Sequence, residues 1–330
     1  MKNGSSGPGT AFSRPSWRTS DIDCKGPHFL LDLPDRHYPV GYLFARTKAR
    51  STDFIEDWEA LAGRPERIAA RYGESGPEAV TRALAREYRW AWESMDAGLR
   101  ERFWRFFFTV EQRTIFICLR YRAVQAEGER AAAALAESLL GSEIKGILLS
   151  EEPLPSVLSH LEETLSRCMS LEPPLGRAFS ERGLMGVERA LAEGLLAAFA
   201  REKGWPGWFF SYLVDQRNLL SLHKHLRWQV GEPLTVLEGG SIPPPEIRRL
   251  AGEGSPGGVL VLARRLAGAR EGGDLAALLL DGLLRRARRR AVASEEGWIF
   301  YYLLRRRVEA GNLRVLLRRG EGPLREGLVL

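Results

Sequence analysis

An all-α fold is what this 330-residue sequence predicts, on three observations. Stretches rich in Ala, Leu, Arg and Glu place apolar residues three to four apart, the spacing that lines one face of a helix. Alternating apolar and polar runs of strand length are scarce. Clusters of Gly and Pro and candidate capping residues punctuate the helical stretches. A composition of 44% hydrophobic and 27% charged residues is that of an ordinary globular chain and excludes wholesale disorder.

Residues 1–38 open with a Gly/Ser/Pro-rich stretch that has no apolar secretory core, so they read as a flexible tail. Helical patterns then cover about 41–61, 77–105, 106–125, 128–140, 153–168, 183–203 and 206–229. Further ones cover 258–268, 274–290 and 295–318. Pro65 and Pro77 suit first-turn positions. Asp274 and Ser294 suit N-caps, with Glu295 and Glu296 placed where the helix dipole favours anions. Loops are expected at Glu238–Pro245 and Gly254–Gly258. No apolar run approaches the roughly 18–20 residues that span a bilayer. Cys24, Cys118 and Cys168 are odd in number and widely spaced, which argues against a disulfide framework or zinc knuckle and for a reducing compartment. Cys118, between Ile117 and Leu119, reads as a small buried hydrophobe.

The formal charge of +6 is unevenly placed. Residues 281–320 hold eleven Arg, no Lys and four acids, a net of +7, so the rest of the chain sums to −1. The basic excess belongs to one segment near the C-terminus.

An internal repeat organises the chain. Val110-Glu111-Gln112-Arg113-Thr114-Ile115 echoes Val214-Asp215-Gln216-Arg217-Asn218-Leu219, and both echo Val308-Glu309-Ala310-Gly311-Asn312-Leu313. The acids are 104 and 94 residues apart. At fixed offsets lie an aromatic seven residues before (Trp104, Trp208, Tyr302), Cys118, Leu222 or Leu316 seven after, and a base nine after (Arg120, Lys224, Arg318). At about 100° per residue the aromatic, the acid, the Asn or Thr and the later apolar residue share a stripe roughly 100° wide. The base lies about 180° away, on the opposite face. Each acid therefore faces inward and must find donors on another element. Glu111, Thr114, Asp215, Asn218, Glu309 and Asn312 are accordingly expected to act as interhelical latches. A catalytic acid is the competing reading.

The ordered set resembles the C/d family of V/A-type rotary ATPase stalk proteins, which unites the prokaryotic C form with its eukaryotic d counterpart. The resemblance rests on Val214–Leu220 with Lys224 and Arg227, on Tyr301–Arg314, on Tyr42–Arg50 as an opening helix, and on Glu238-Gly239-Gly240 followed by Glu246–Leu250. It spans roughly residues 39–325. Thr114 in place of Asn and the stretch 51–76 depart from the family pattern. The resemblance implies three homologous helical modules about a pseudo-threefold axis, forming a funnel: residues 39–125, 126–230 and an Arg-rich 231–330. It also implies a non-catalytic central-stalk rotor subunit without cofactor. Such a subunit is peripheral to the cytoplasmic face of the membrane, seats the shaft subunits in its cavity and rests on the proteolipid ring. Neither a small-molecule substrate nor nucleic acid is then an expected partner.

Other chemistry finds little footing. There is no Walker phosphate loop and no H-E-x-x-H zinc motif. Of His28, His37, His160, His223 and His225, only the last pair is close, and its i, i+2 spacing points the rings about 200° apart. Ser241 follows two glycines but lacks the second glycine of a nucleophile elbow. The aromatic clusters Trp104–Phe108, Trp205–Phe210 and Trp298–Tyr302 read as core, with a stacking platform for single strands as the alternative. Three readings stay open for Arg285, Arg286, Arg288, Arg289 and Arg290: a solvated helix end, an interface with a membrane ring or anionic headgroups, or a polyanion site in an all-helical nucleic-acid-binding repeat protein.

Overall fold

A computed structural model describes residues 29–34, 36, 38–61, 64, 66–68, 76–124, 128–199, 202–229, 234–269 and 274–319. Helices dominate the described residues: α1 Val40–Arg50, α2 Pro77–Glu93, α3 Ala97–Ala123 and α4 Gly128–Ala136. α5 Ser142–Leu149, α6 Leu154–Leu165, α7 Leu175–Phe199 and α8 Gly204–Trp228 follow. α9 Pro244–Glu253, α10 Pro256–Ala267, α11 Leu275–Ala291 and α12 Glu295–Arg319 complete the order. The all-α expectation holds.

Local chemistry explains where the helices start and stop. The α1 pattern stops at Arg50 because the Ser51 and Thr52 hydroxyls donate back to the Lys48 and Ala49 carbonyls at 2.7 and 2.8 Å. Phe54 then leaves in an extended conformation. No break occurs at residue 105. The real boundary is Asp96, whose carboxylate accepts from the Leu99 N–H at 2.6 Å and starts α3. The expected caps are present: Asp274 accepts from the Ala277 N–H at 2.8 Å, and the Ser294 hydroxyl accepts from the Gly297 N–H at 3.0 Å. Pro77 occupies the first turn of α2, while Pro65 lies outside the described residues. α5 and α9 are short helices the periodicity did not separate from loops. α7 carries a break at Gly183 (φ 60°), so the helix expected from 183 has a further piece ahead of it.

The folded body reaches further towards the N-terminus than a tail ending at residue 38 allows. Phe29 and Leu30 are buried, Leu30 bridges antiparallel to Leu140, and the Gly141 N–H donates to the Phe29 carbonyl at 2.8 Å. Residues 1–28 lie outside the described residues.

α3, α8 and α12 are the long helices that carry the repeated acids, and their N-terminal thirds meet. Phe103, Trp205 and Phe300, one from each, stack in series with ring centroids 4.6 Å apart at both contacts. Phe106, Phe209 and Phe300 form a second triangle at 5.0, 5.6 and 6.0 Å. These are edge and tilted arrangements, the geometry aromatic quadrupoles favour. The clusters expected as core are mostly that, but the aromatics at the repeat's fixed offset do not meet one another. Trp104 packs on Phe29, Phe108 and Phe199, Trp208 flanks Phe300, and Tyr302 donates to Glu87.

Around this plug α12 packs against α1, α2 and α11, α3 against α4 and α7, and α8 against α7, α9, α10 and α11. Cys118 is a buried free thiol whose pKa burial pushes up to about 11. Cys168 is held in a disulfide, which is at odds with the reducing compartment expected from the cysteine spacing; spacing along a sequence does not reveal which cysteines a fold brings together.

Candidate functional site

The three acids project from α3, α8 and α12 into joints with other parts of the chain, and each accepts a backbone N–H. Glu111 Oε1 takes the Leu139 N–H at 2.8 Å, in the connection that leads into α5. Asp215 takes three donors from the connection into α9: the Ser241 N–H at 2.9 Å, the Ser241 hydroxyl at 2.5 Å and the Ile242 N–H at 3.0 Å. Glu309 Oε1 takes the Ile55 N–H at 2.7 Å, and this partner lies 254 residues upstream. The donor follows its acid by 28 residues in the first case and by 26 and 27 in the second, so the third joint alone runs backwards to the start of the folded chain.

One turn along, Asn218 doubles the second joint. It donates to the Leu237 carbonyl at 2.9 Å and accepts the Leu237 N–H at 2.8 Å, filling both backbone groups of a loop residue. Thr114 lies one turn from Glu111 and favours its charged form. Asn312 is buried on the same face of α12 and lines a cavity between the long helices. Ser241, considered as a nucleophile, has its hydroxyl committed to Asp215. Gly240 is required there, because a Cβ would sit 2.1 Å from Asp215 Oδ1.

Burial is the leading cause that raises the pKa of all three acids. What opposes it differs from joint to joint. The Ser241 hydroxyl and the backbone donors of Ile242 and Ser241 oppose it at Asp215. The Arg306 guanidinium opposes it at Glu309, donating to Oε2 at 3.0 Å. Glu111 has the Leu139 N–H, Thr114 and the more distant Lys145 and Arg89, and its Oε2 is buried without a hydrogen-bond partner.

The third joint carries a network that the repeat does not announce. Arg306 also donates to the Arg50 carbonyl at 2.8 Å and to the Tyr302 hydroxyl at 3.3 Å. Tyr302 donates to Glu87 at 2.5 Å, and Glu87 is ion-paired with Arg50 at 2.7 Å. Arg305 donates to the Ile55 carbonyl at 3.0 Å. The signal for these residues was the spacing of Arg305 and Arg306 four and three positions before Glu309, the distances at which helix side chains meet. A 520 Å³ cavity lined by Arg50, Asp53, Glu87, Arg306 and Glu309 adjoins the network.

The cavity that Asn312 lines has a volume of 430 Å³ and borders the aromatic plug at Phe209. Thr109 of α3, Leu213 and Gln216 of α8, and Arg307, Gly311, Arg314 and Val315 of α12 complete its walls, with Leu280 and Leu283 of α11.

The arginine run does not act as one patch. Arg286 is half-buried, donating to the Leu266 carbonyl at 2.7 Å and lying 5.4 Å from the Tyr212 ring. It is a packing residue as well as a member of the arginine run. Arg285 is paired with Asp281 at 2.7 Å and Arg290 lies 4.9 Å over Trp208. Arg288 and Arg289 are exposed. Arg120, the base opposite the first acid, is on the surface and paired with Glu188, and Lys224 is exposed beside Trp228. The Arg318 side chain, His28 and His37 lie outside the described residues. His223 and His225 sit on one helix, and among the described residues no cluster of His, Cys, Asp or Glu could hold a metal. No described helix is long and apolar enough to cross a membrane.

No protein-family model and no curated protein matches the chain.

Proposed function

We propose that the chain is a non-catalytic central-stalk rotor subunit of a V/A-type ATPase, built of three homologous helical modules about a pseudo-threefold axis. In this reading it joins the shaft subunits to the proteolipid ring on the cytoplasmic face of the membrane and carries torque between them. The observation that carries the proposal is the use of the repeated acids. All three are committed to backbone donors at separate joints, and the third grips Ile55 near the start of the folded chain. Three like joints of which the last returns to the beginning fit a closed ring of modules. They fit poorly with an active site, which needs its acids together and its carboxylate oxygens free for substrate. An aromatic plug with a cavity bordering it supports a funnel-shaped reading of that ring.

Native mass spectrometry of the protein drawn from its own membranes tests the proposal. Shaft and proteolipid subunits should accompany it, and Asp215→Ala should loosen that assembly without touching a nucleotide site. ATP hydrolysis by the isolated chain would sink it.

A further inference from the structure

The corner where α11 turns into α12 carries surface chemistry that the joints do not use. Arg285, Arg288, Arg289 and Val292 stand at i, i+3, i+4 and i+7, one stripe of the helix. Leu284, Ala287 and Ala291 hold the buried side. Val292 is 88% exposed at the tip of the turn. Some surface arginines are matched with acids, such as Arg120 with Glu188, Arg265 with Glu246 and Arg249 with Glu253, while others, such as Arg113, Arg130 and Arg248, are exposed without an ion pair among the described residues. At this corner Arg288 and Arg289 have no ion pair among the described residues, although Glu295 begins the next helix, and Glu296 is taken by Arg102. Arg288, Arg289 and Arg290 form the last turn of α11, where they also complement the C-terminal end of the helix dipole.

From this juxtaposition we infer that the α11–α12 corner is a docking surface for an anionic lipid bilayer. Arg288 and Arg289 meet the phosphates, and Val292 enters the headgroup boundary. Guanidinium groups match phosphate oxygens, and an exposed aliphatic tip between them suits an interface that is polar above and apolar below. A nucleic-acid site would instead offer aromatic faces beside the bases. Here Trp208, beside the corner, is covered by Arg290. The inference is independent of the rotor proposal, since it concerns lipid alone.

Flotation of the full chain with phosphatidylcholine vesicles, with and without phosphatidylglycerol, tests it. Binding should need the anionic lipid and weaken with salt. Each basic side chain at an anionic surface contributes about fivefold in partition, so Arg288→Gln with Arg289→Gln should lower it about 25-fold. Val292→Ser should lower it about fivefold. Arg265→Gln, whose arginine is already paired, should leave it unchanged. Both arginines are exposed, so the variants keep the fold, which circular dichroism verifies. Absence of binding, equal binding to neutral vesicles, or displacement of the vesicles by duplex DNA through the same two arginines would overturn the inference. Loss of ring copurification in the double variant with vesicle binding unchanged would also overturn it. Failure of vesicle binding with the shaft and ring still copurifying would leave the rotor proposal standing.

Discussion

Replacing Asp215 by Ala removes the acceptor for three donors at once, and their exposure sets the size of the effect. The Ile242 N–H is buried, so stranding it costs about 1–3 kcal/mol. Ser241 is exposed, so its N–H and hydroxyl turn to water at about 0.5–1 kcal/mol each. Against this, burial has already raised the Asp215 pKa, and removing a poorly solvated carboxylate recovers part of the loss. A net destabilisation of about 2–3 kcal/mol is expected, concentrated in residues 240–242. Native-state hydrogen exchange is the suitable assay, because a long repeat chain need not unfold in one step. The Ser241 and Ile242 amides should lose protection, while Leu237, held by Asn218, should lose less. Gly240→Ala supplies an independent check. Its new Cβ would collide with Asp215 Oδ1 at 2.1 Å, but that atom is gone in Asp215→Ala. The glycine substitution should therefore be harmful in the native background and mild in the variant, with a coupling on the order of 1–2 kcal/mol. Unchanged exchange at Ile242, or equal cost of Gly240→Ala in both backgrounds, would refute the joint.

The other acids should respond according to what faces each second oxygen. Glu111→Gln should be near neutral or stabilising, since Oε2 has no donor to lose. Its pH behaviour is a sharper sign. Burial raises the folded pKa, so this group's stabilisation is complete below the ordinary carboxylate range and is lost as pH rises through the folded value. Thermal melts of Glu111→Gln should lack that part of the decline with pH; an unchanged slope assigns it elsewhere. Glu309→Gln should cost about 2–3 kcal/mol by denaturant titration, because it leaves the Arg306 guanidinium without its carboxylate; a cost no larger than that of Glu111→Gln would contradict the network. Phe300→Ala, at the meeting of the three long helices, should cost about 3–5 kcal/mol in the same titration, and a loss under about 1 kcal/mol would mean the plug does not hold them.

Much of this is legible in the residues alone. The inward-facing acids, the Asn one turn on and the outward bases follow from helical angle, because a stripe is a local property. Caps at Asp274 and Ser294 are legible for the same reason. The boundary at Asp96 is hidden because good helix formers continue on both sides, and one carboxylate reaching one N–H decides it. The plug residues Phe103, Trp205 and Phe300 stand eight, ten and nine positions before their acids. A search for a constant offset therefore selects Trp104, Trp208 and Tyr302. Aromatics meet where helices cross, and the crossing point is a tertiary quantity. The arginine run misleads for a related reason: Arg286 and Arg288 differ by about 200° around one helix, so one packs and the other is solvated.

The identity of the donors is out of reach of the sequence, and it bears most on mechanism. Leu139 and Ile242 follow their acids by 28 and 27 residues, so those joints form within neighbouring stretches of chain. Ile55 and Glu309 are 254 residues apart, and only a nearly complete fold can bring them together. Closing that loop carries the largest chain-entropy cost of the three. It is also the joint with the most polar reinforcement: Arg305 and Arg306 reach carbonyls of the 50–55 segment, while the Phe54 ring packs on Tyr302 and against the Arg306 guanidinium. Apolar packing alone would hold this seam, but weakly in register, since one greasy surface can slide on another. Directional bonds to named backbone groups remove that freedom. A body that passes torque, as the rotor proposal requires, would be loaded severely at this widely non-sequential seam. Opening that seam by Glu309→Gln should then impair coupling of the assembled complex well before it impairs folding of the isolated chain.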